Sequence, residues 1–350
     1  MISSMKGLFK TAPGDGNMEL RETEVPKPGP GEVLIEVKSA GICGSDLHIY
    51  HWDIAFAMRP PMIIGHEFSG VIALIGAGVE GWKPGDRVTA EPSAIICGEC
   101  RYCRTGAYNL CGNRRVMGYW VNGVFAEYVL VGPTRRLHRL PDSVSFDEGA
   151  LTEPLACCVH AVHELTGVEV GDFVAVTGPG AIGLLSAQLA KAEGAVVMMV
   201  GTGADRDRLA KAKSLGIDYC VNLDEQDPVK FAQDLTEGYG ADIVFECAGV
   251  APAATLGINL ARKQGKYTQV GLFGKPITLD FERIAYKELV VTGSMAQRWS
   301  AWKRTLKIME QGKVDLKSVI SDKFPLSRWK EAFHKFEAKE GLKILLDPKE

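Results

Sequence analysis

The chain has 350 residues, more than one ordinary domain needs and enough for two, and 46% of them are hydrophobic. Its 40 basic and 43 acidic residues are well mixed and leave a net charge of −3. Because the chain has no basic block that could release counterions from phosphates, we expect no nucleic-acid partner. The sequence contains neither a run of 18 apolar residues nor a signal-peptide pattern at its start, so we expect no membrane span and a cytoplasmic location.

Residues 1–153 alternate short β-like runs with turns rich in glycine and proline. The clearest runs are EVLIEV (32–37), FSGVIALIG (68–76), DRVTA (86–90) and AEYVLV (126–131). This pattern predicts a barrel-like all-β domain whose loops are long enough to hold a site. We expect residues 291–350, with a helix at 300–314 and a strand at 341–348, to return and complete this domain.

Residues 154–290 have a different pattern, in which predicted apolar strands alternate with predicted helices. The predicted strands are 173–178, 195–201, 219–222, 241–249 and 266–272, and the predicted helices are 181–194, 208–216 and about 228–237. Alternation of this kind implies right-handed crossovers and a doubly wound parallel sheet. The strands are apolar throughout, as burial on both faces requires. The sequence therefore predicts an α/β protein of two domains.

Four of the nine cysteines lie within 15 residues, as Cys97, Cys100, Cys103 and Cys111. A reducing compartment disfavours a disulfide framework, and two residues between thiolates let a tight loop aim both sulfurs at one ion. Four thiolates close a tetrahedral zinc shell, which predicts a structural zinc. An iron–sulfur cluster is the rival metal, and the seven-residue gap together with the lack of a following Cys-Pro weighs against it.

A second set of potential ligands is spread along the first domain. Cys43 lies in GICGSD (41–46), His66 and Glu67 lie in GHEFSG (65–70), and Glu153 lies in LTEPLACC (151–158). A thiolate, an imidazole and a carboxylate can bind zinc and leave one position open for water or substrate, which is the arrangement of a catalytic site. Taken singly, such a cysteine is more often a buried thiol than a ligand, and such a His-Glu pair is more often at the surface or a satisfied polar pair of the core.

Gly178, Gly180 and Gly183 form G-P-G-A-I-G, with Ala181 and Ile182 inside the motif. A predicted strand precedes the motif and a predicted helix follows it, the context that a dinucleotide-binding loop requires. The glycines permit a tight turn and a close approach of the backbone to pyrophosphate, which the helix N-terminus attracts. The alternative is a plain glycine-rich turn between a strand and a helix.

The strand after this loop should end in an acid that binds the ribose hydroxyls of the cofactor. It ends instead in Val200-Gly201, and Asp205 comes a few residues late, with Arg206 and Arg208 close by. Thr202 and the two arginines could bind a 2′-phosphate, so the sequence favours NADP over NAD. The alternative is that the arginines are solvated and that Asp205 caps the helix.

Taken together, these residues resemble the zinc-dependent medium-chain alcohol dehydrogenase family, and within it the branch of sorbitol (polyol) and threonine dehydrogenases. The resemblance spans essentially the whole chain. The segments that carry it are GICGSDLH (41–48), GHEFSG (65–70), GDRVTAEP (85–92), the four-cysteine segment, GVFAEYV (123–129), TEPLACCVHA (152–161) and TGPGAIG (177–183).

The resemblance implies a GroES-like catalytic domain, formed by residues 1–153 and 291–350, and a Rossmann nucleotide domain at 154–290. It implies one catalytic zinc, on Cys43, His66 and Glu153 with Glu67 binding directly or through water, besides the structural zinc. It also implies a proton relay from Ser45 through the cofactor ribose towards His48, although a lone loop histidine is as often simply satisfied.

Further expectations concern the cofactor and the assembly. We expect Val270, Gly271 and Met295 to contact the cofactor, besides the residues of the loop and of the ribose end. The resemblance also implies a homotetramer, or at least a dimer.

The expected function is hydride transfer between a secondary alcohol, such as a polyol of the sorbitol type, and NAD(P). L-Threonine 3-dehydrogenase activity is the alternative, because HIYHWD (48–53) is similar to that branch whereas the acid in TEP (152–154) is similar to the sorbitol branch. A zinc- and nucleotide-binding protein without catalysis is the third reading. It predicts the loss of a ligand or relay residue, and Cys43, Ser45, His66 and Glu153 are all present.

Overall fold

A computed structural model of the chain describes residues 3–54 and 57–349. Contacts divide the chain into two compact units. The first comprises residues 1–154, 297–310 and 320–350, and the second comprises residues 155–296 and 311–319. The boundaries expected from the sequence differ in assigning residues 291–296 and 311–319 to the first unit.

Eighteen strands occur in the described residues. In chain order they are β1 Ser4–Lys10, β2 Met18–Glu24, β3 Val33–Gly41, β4 Met62–Ile63, β5 Glu67–Ile75, β6 Arg87–Ala90, β7 Ser93–Ile95, β8 Arg115–Val116, β9 Tyr128–Val131, β10 Leu137–Arg139, β11 Phe173–Thr177, β12 Val196–Gly201, β13 Tyr219–Asn222, β14 Ala241–Glu246, β15 Ala261–Gln269, β16 Val290–Gly293, β17 Ile320–Pro325 and β18 Lys343–Asp347.

Eleven α-helices occur in the same residues, besides short 3-10 turns and a π-helical segment at His160–Thr166. They are α1 Gly44–His51, α2 Arg101–Arg104, α3 Phe146–Ala150, α4 Thr152–Val159, α5 Ala181–Ala192, α6 Arg206–Ser214, α7 Pro228–Leu235, α8 Ala251–Leu260, α9 Glu282–Tyr286, α10 Trp299–Glu310 and α11 Trp329–Glu337.

The first unit is built on a largely antiparallel seven-stranded sheet of order β10-β6-β5-β3-β18-β17, with β9 also paired to β3. A three-stranded sheet, β2-β1-β4, and a two-stranded sheet, β7-β8, accompany it. Strand β18 pairs with the end of β3, so the C-terminal segment returns to the sheet begun near the N-terminus. The core contains fully buried residues of β3, including Val33, Ile35 and Val37. The predicted strands of this region all form, and the predicted β-sheet domain is confirmed, but the unit is not all-β because helices α1, α3, α10 and α11 belong to it.

The second unit contains a six-stranded parallel sheet of order β13-β12-β11-β14-β15-β16. Counted along the unit this order is 3-2-1-4-5-6, the doubly wound arrangement of dinucleotide-binding domains. Every residue of β11 is buried, as a strand covered on both faces must be. The predicted Rossmann fold is confirmed.

Strand β15 differs from its predicted bounds of 266–272. It begins earlier, at Ala261, and it ends at Gln269. The register jumps between the pairs Ala241↔Ala261 and Ile243↔Lys266, so the intervening residues bulge out before regular pairing resumes at Lys266. Among the described residues, no helix is both long and apolar enough to cross a membrane.

Candidate active site

Pairing of β3 with β5 brings the first candidate ligands together. Gly41, the last residue of β3, lies opposite Glu67, the first residue of β5. Cys43 follows two residues after β3, and His66 directly precedes β5. A Cβ atom on Gly41 would lie 2.3 Å from Oε2 of Glu67, so only glycine leaves room for this carboxylate. The glycine thereby lets Glu67 lie beside its pairing partner.

The ligand atoms of Cys43, His66 and Glu67 all lie within 4.8 Å of one another. His66 and Glu67 are buried, whereas Cys43 is half-buried. Glu153, the fourth predicted ligand, is not part of this compact set. Its carboxylate is buried and accepts a hydrogen bond of 2.7 Å from the Nε2 atom of Gln297. Cys43, His66 and Glu67 are therefore the ligand atoms that lie closest together, and Glu153 remains a predicted ligand whose charge acts on His66.

Lys343 on β18 neutralises Glu67. Its Nζ atom donates to Oε1 and Oε2 of Glu67 at 2.9 and 2.7 Å, and to the carbonyl oxygen of Ile42 at 3.0 Å. Both side chains are buried. Burial lowers the pKa of Lys343, but the Glu67 carboxylate and the other anions around it raise the pKa above its usual value. The ammonium group thus stays charged and holds the Glu67 carboxylate in place.

Asp46, in the first turn of α1, packs behind His66. One of its oxygens accepts the Cys43 backbone N–H at 2.9 Å, and the other lies 3.8 Å from Nδ1 of His66. Burial raises the pKa of Asp46 to about 6. Burial alone would lower the pKa of His66, but the hydrogen bond to Cys43 and the charge of Asp46 raise it to about 10.

The residues of this site fit a zinc ion. A thiolate, an imidazole and a carboxylate are its usual donors in catalytic centres, and Asp46 lies where a carboxylate orients a zinc-bound histidine. The anionic groups raise the pKa of the one basic ligand, so the site attracts positive charge. Nδ1 of His66 and Oδ1 of Asp46 are buried without a hydrogen-bond partner among the described residues, which is an unfavourable arrangement unless further polar groups or an ion bind there.

The two predicted relay residues lie on α1. Ser45 is half-buried in the first turn of the helix, next to Cys43. His48 is exposed one turn later, and its Nδ1 atom lies 2.9 Å from Oδ1 of Asp53. The contact with Asp53 fixes the orientation of the imidazole and leaves Nε2 as the nitrogen available to another partner.

The four clustered cysteines converge in a separate lobe. All four sulfur atoms lie within 4.8 Å of one another, and the Cys97 sulfur lies 3.8 Å from that of Cys103 and 3.6 Å from that of Cys111. A tetrahedral zinc with bonds of about 2.3 Å places its sulfurs about 3.8 Å apart. Backbone N–H groups of Cys100 and Glu99 lower the pKa of Cys97 to about 6. This geometry fits a closed structural zinc.

In the second unit, the predicted dinucleotide loop joins β11 to α5. A Cβ atom on Gly178 would meet the Ala248 backbone nitrogen at 2.7 Å, and one on Gly183 would meet the Gly178 carbonyl oxygen at 2.0 Å. A Cβ atom on Gly180, by contrast, would have no neighbour within 4 Å. No side chain caps the N-terminus of α5. Two glycines therefore pack the turn, while Gly180 leaves open space before free N–H groups, which suits a pyrophosphate.

A cleft of about 670 Å³ extends from this loop. Its walls include Gly178 and Thr202 from the predicted set, together with Asp205, Asp224 and Val250. The cleft lies at the carboxyl ends of the parallel strands, which is where a doubly wound sheet binds its ligand.

The residues after β12, which were predicted to bind the ribose or its 2′-phosphate, already have partners in the protein. The Thr202 hydroxyl and backbone N–H donate to Asp205 at 2.8 and 3.0 Å, so this acid caps the turn before α6. Arg206 forms an exposed ion pair of 2.9 Å with Glu225. Burial lowers the pKa of Arg208. A 2′-phosphate would have to compete with carboxylates for both Thr202 and Arg206.

The remaining predicted cofactor residues lie beyond β15 and β16. The N–H groups of Val270 and Gly271 donate to the carbonyl oxygen of Glu246 at 2.9 and 2.8 Å, which places them at the carboxyl end of β14. Met295 is 46% exposed, two residues after β16.

Several neighbours of the predicted residues carry no signal in the sequence. Lys343 is 276 positions from Glu67, and Gln297 is 144 positions from Glu153. Tyr119 is 74 positions from Ser45, to which it donates a hydrogen bond. Asp46 is the exception, since an acid three residues into a helix is a recognisable capping position.

Comparisons with known proteins agree with this geometry. Residues 29–142 match the alcohol dehydrogenase GroES-like domain, and residues 181–311 match the zinc-binding dehydrogenase domain. The sorbitol dehydrogenase of Halalkalibacterium halodurans is 45% identical over 98% of this chain and 99% of its own length. The chain belongs to the zinc-dependent medium-chain alcohol dehydrogenases. This dehydrogenase accordingly uses zinc and NAD(P), as the resemblance implied.

Two further proteins are similar to this dehydrogenase over almost the whole chain. The L-threonine 3-dehydrogenase of Pyrococcus horikoshii is 38% identical to this dehydrogenase over 99% of each chain. A protein of Sinorhizobium meliloti, whose crystal structure holds NADP, superposes with a TM-score of 0.91 at 33% identity and covers 99% of this chain and 100% of its own. The expected branch of polyol and threonine dehydrogenases is confirmed.

Proposed function

We propose that this dehydrogenase oxidises a secondary alcohol of a polyol and reduces NAD(P), with a sorbitol-type polyol as substrate. The observation that carries the proposal is the convergence of the Cys43, His66 and Glu67 ligand atoms within 4.8 Å, in a chain 45% identical to a sorbitol dehydrogenase. Such a site leaves a coordination position open for the substrate oxygen, which a closed structural site does not.

The protein groups divide the work of the reaction. Cys43, His66 and Glu153 would hold the zinc, with Glu67 binding directly or through water, and Gln297 donates a hydrogen bond that orients Glu153. When bound there, zinc supplies a Lewis acid that lowers the pKa of a coordinated alcohol. Ser45 takes the alcohol proton, and the exposed imidazole of His48, oriented by Asp53, passes a proton on to solvent. Cys97, Cys100, Cys103 and Cys111 hold a second zinc that stabilises its own lobe.

The cofactor lies, in our proposal, along the cleft of the second unit. Its pyrophosphate rests against Gly178, Gly180, Ala181, Ile182 and Gly183, where the N-terminus of α5 offers free N–H groups. Val270, Gly271 and Met295 contact it further along.

We propose a preference for NADP over NAD. Strand β12 ends in glycine rather than in an acid, and Arg206 pairs with Glu225, which lines the cleft. The competing ion pair of Arg206 with Glu225 is 74% and 59% exposed, so a phosphate would displace a contact worth no more than about 1 kcal/mol. Thr202 and Arg208 complete the proposed phosphate site.

A kinetic screen tests the proposal. Zinc-loaded protein is mixed with NADP or NAD and with sorbitol, other polyols, simple secondary alcohols or L-threonine, and formation of reduced cofactor is followed by its ultraviolet absorbance. We expect turnover with a polyol and two zinc ions per chain by elemental analysis. Turnover of threonine alone would favour the second candidate, L-threonine 3-dehydrogenase, which the relative from Pyrococcus horikoshii supports. Reduction of neither cofactor by any alcohol would refute both.

Location and assembly belong to the same proposal. We place the enzyme in the cytoplasm, with small-molecule substrates and neither nucleic acid nor membrane as partners. We also propose that it forms a homo-oligomer, a dimer or a tetramer, through β16. This strand lies at the edge of the parallel sheet, and its Val290 and Val291 are 58% and 46% exposed.

A further inference from the structure

Tyr119 lies directly beside the predicted proton acceptor. Its phenolic oxygen is 2.5 Å from Oγ of Ser45, and its O–H donates this hydrogen bond. The tyrosine is buried, with 8% of its surface exposed, whereas Ser45 is half-buried. We propose that Tyr119 is a positioning residue for Ser45, which fixes the serine oxygen in the orientation that accepts the alcohol proton. The inference rests on the proposed alcohol dehydrogenase function.

Three glycines hold Tyr119 in place next to His66. Gly65, which precedes His66, has a positive φ of 90°, and Gly118, which precedes Tyr119, has a φ of 76°. A Cβ atom on Gly118 would lie 2.5 Å from the Gly65 carbonyl oxygen, and one on Gly123 would lie 2.2 Å from the same atom. The loop that carries Tyr119 therefore packs backbone to backbone against the residue before a zinc ligand, a contact that any larger side chain would disrupt.

The side chain of Tyr119 is fixed by packing, as its backbone is. The ring of Tyr119 packs against that of His66, with centroids 5.2 Å apart. Ser45 is fixed independently, in the first turn of α1 two residues after Cys43. Tyr119 thus packs against one predicted zinc ligand, His66, and Ser45 follows another, Cys43, in the chain. Their short hydrogen bond therefore joins two well-packed segments.

The chemistry of the two hydroxyl groups explains the role. A serine hydroxyl has one hydrogen and two lone pairs. Tyr119 donates into one lone pair, which leaves the other to accept the alcohol proton while the serine's own hydrogen passes to the next acceptor. One O–H bond forms on Oγ as another breaks, so Tyr119 neither gains nor loses a proton.

Replacement of the phenol hydroxyl tests the proposal. Tyr119→Phe keeps the ring against His66 and removes only the donor. We expect kcat with the best alcohol of the panel to fall about tenfold to a hundredfold, while KM changes by less than about threefold, because the hydroxyl acts on the proton transfer rather than on binding. The solvent deuterium isotope effect on kcat should rise, since proton transfer becomes more strongly rate-limiting.

A double-mutant cycle separates this role from a structural one. If Tyr119 acts through Ser45, then Tyr119→Phe has no further effect in a Ser45→Ala background, and the two variants agree within about twofold. Tyr128→Phe is the matched control, because Tyr128 is also 8% exposed in the same unit and lies on β9, away from the site. The zinc content and the NAD(P) dissociation constant of Tyr119→Phe should equal those of the wild type.

The outcomes distinguish the proposed dehydrogenase function from the positioning role of Tyr119. A wild-type enzyme that oxidises no alcohol refutes the proposed function, and this role with it. An active wild type with an equally active Tyr119→Phe variant refutes the positioning role alone, as do additive effects in the cycle. Loss of zinc from Tyr119→Phe would show instead that the tyrosine is structural.

Discussion

Lys343 and Glu67 form an ion pair in which both charges are shielded from water. The ammonium group donates to both carboxylate oxygens, and the two side chains are 4% and 1% exposed. Removal of one partner leaves the other charge buried and uncompensated, which costs about 3–5 kcal/mol. Burial of such a pair adds little net stability, so its value lies in holding the Glu67 carboxylate in place beside Cys43 and His66.

Replacement of Lys343 by methionine should therefore destabilise the first unit strongly. We expect the thermal midpoint of the protein without zinc in this site to fall by on the order of 10 °C, measured by circular dichroism, because no other cation then compensates the Glu67 carboxylate. Lys335→Met provides the control, since Lys335 pairs with Asp322 at 2.8 Å but the two side chains are 34% and 25% exposed. That variant should lose no more than about 1 kcal/mol. Equal effects of the two substitutions would contradict the assigned role of burial.

A second prediction at this scale concerns Glu225, which competes with a cofactor phosphate for Arg206. Glu225→Gln should release the guanidinium and tighten NADP by a factor of about two to five, with NAD little changed. Arg206→Ala should weaken NADP about tenfold and spare NAD, because it removes a charged hydrogen bond that only the phosphate can accept. Dissociation constants from cofactor fluorescence titrations measure both effects. Parallel shifts for the two cofactors would rule out Arg206 as a phosphate ligand.

At the scale of the elements, the β11–α5 turn contains glycines with different roles. A Cβ atom on Gly183 would lie 2.0 Å from the Gly178 carbonyl oxygen, whereas one on Gly180 would have no neighbour within 4 Å. The Gly180 φ angle of −78° also suits alanine. Gly183 is therefore needed for the packing of the helix against the strand, and Gly180 for the space that a ligand would fill.

Alanine substitutions should separate these roles. Gly180→Ala should leave the thermal midpoint within about 2 °C of the wild type and weaken NAD(P) binding at least tenfold, because its methyl group occupies the approach of the pyrophosphate. Gly183→Ala should lower the midpoint, since backbone must move to accept the methyl group. Calorimetry without cofactor and fluorescence titration give the two quantities. Unchanged cofactor affinity in Gly180→Ala would place the phosphates elsewhere.

Strands, turns and the cysteine cluster could be predicted where a short stretch of sequence carries the pattern by itself. The apolar runs of β11 and β12 and the glycines between β11 and α5 indicate burial and a turn by themselves, and the four cysteines occupy 15 residues. The bulge at the start of β15 was not predicted, because the polar residues Arg262, Lys263 and Gln264 give no strand pattern, although Ala261 already pairs with Ala241.

Long-range partners were not predictable from the residues. Glu67 and Lys343 meet only because β18 pairs with β3 near Gly41, and nothing in either local sequence encodes that pairing. The compact grouping of Glu67 rather than Glu153 with Cys43 and His66 likewise depends on the β3–β5 register. Spacing along the chain could suggest the ligands but could not rank them.

For the whole molecule, the unpaired edge of the parallel sheet is the feature that favours self-association. Strand β16 pairs with β15 on one side, and its other edge has no partner strand among the described residues. Val290 and Val291 are exposed there, and an exposed apolar edge strand is a template for pairing with another chain. A second copy can pair antiparallel with it about a twofold axis, which closes both edges at once.

Introduction of a charge at this edge should dissociate the assembly. We expect the wild type to elute as a dimer or tetramer in size-exclusion chromatography with light scattering, and Val291→Lys to shift towards the monomer, because a buried lysine at the interface would be left unpaired. Val170→Lys is the matched control, since Val170 is 84% exposed in the same unit and precedes β11. A monomeric wild type, or a Val291→Lys variant with unchanged mass, would exclude β16 as the interface.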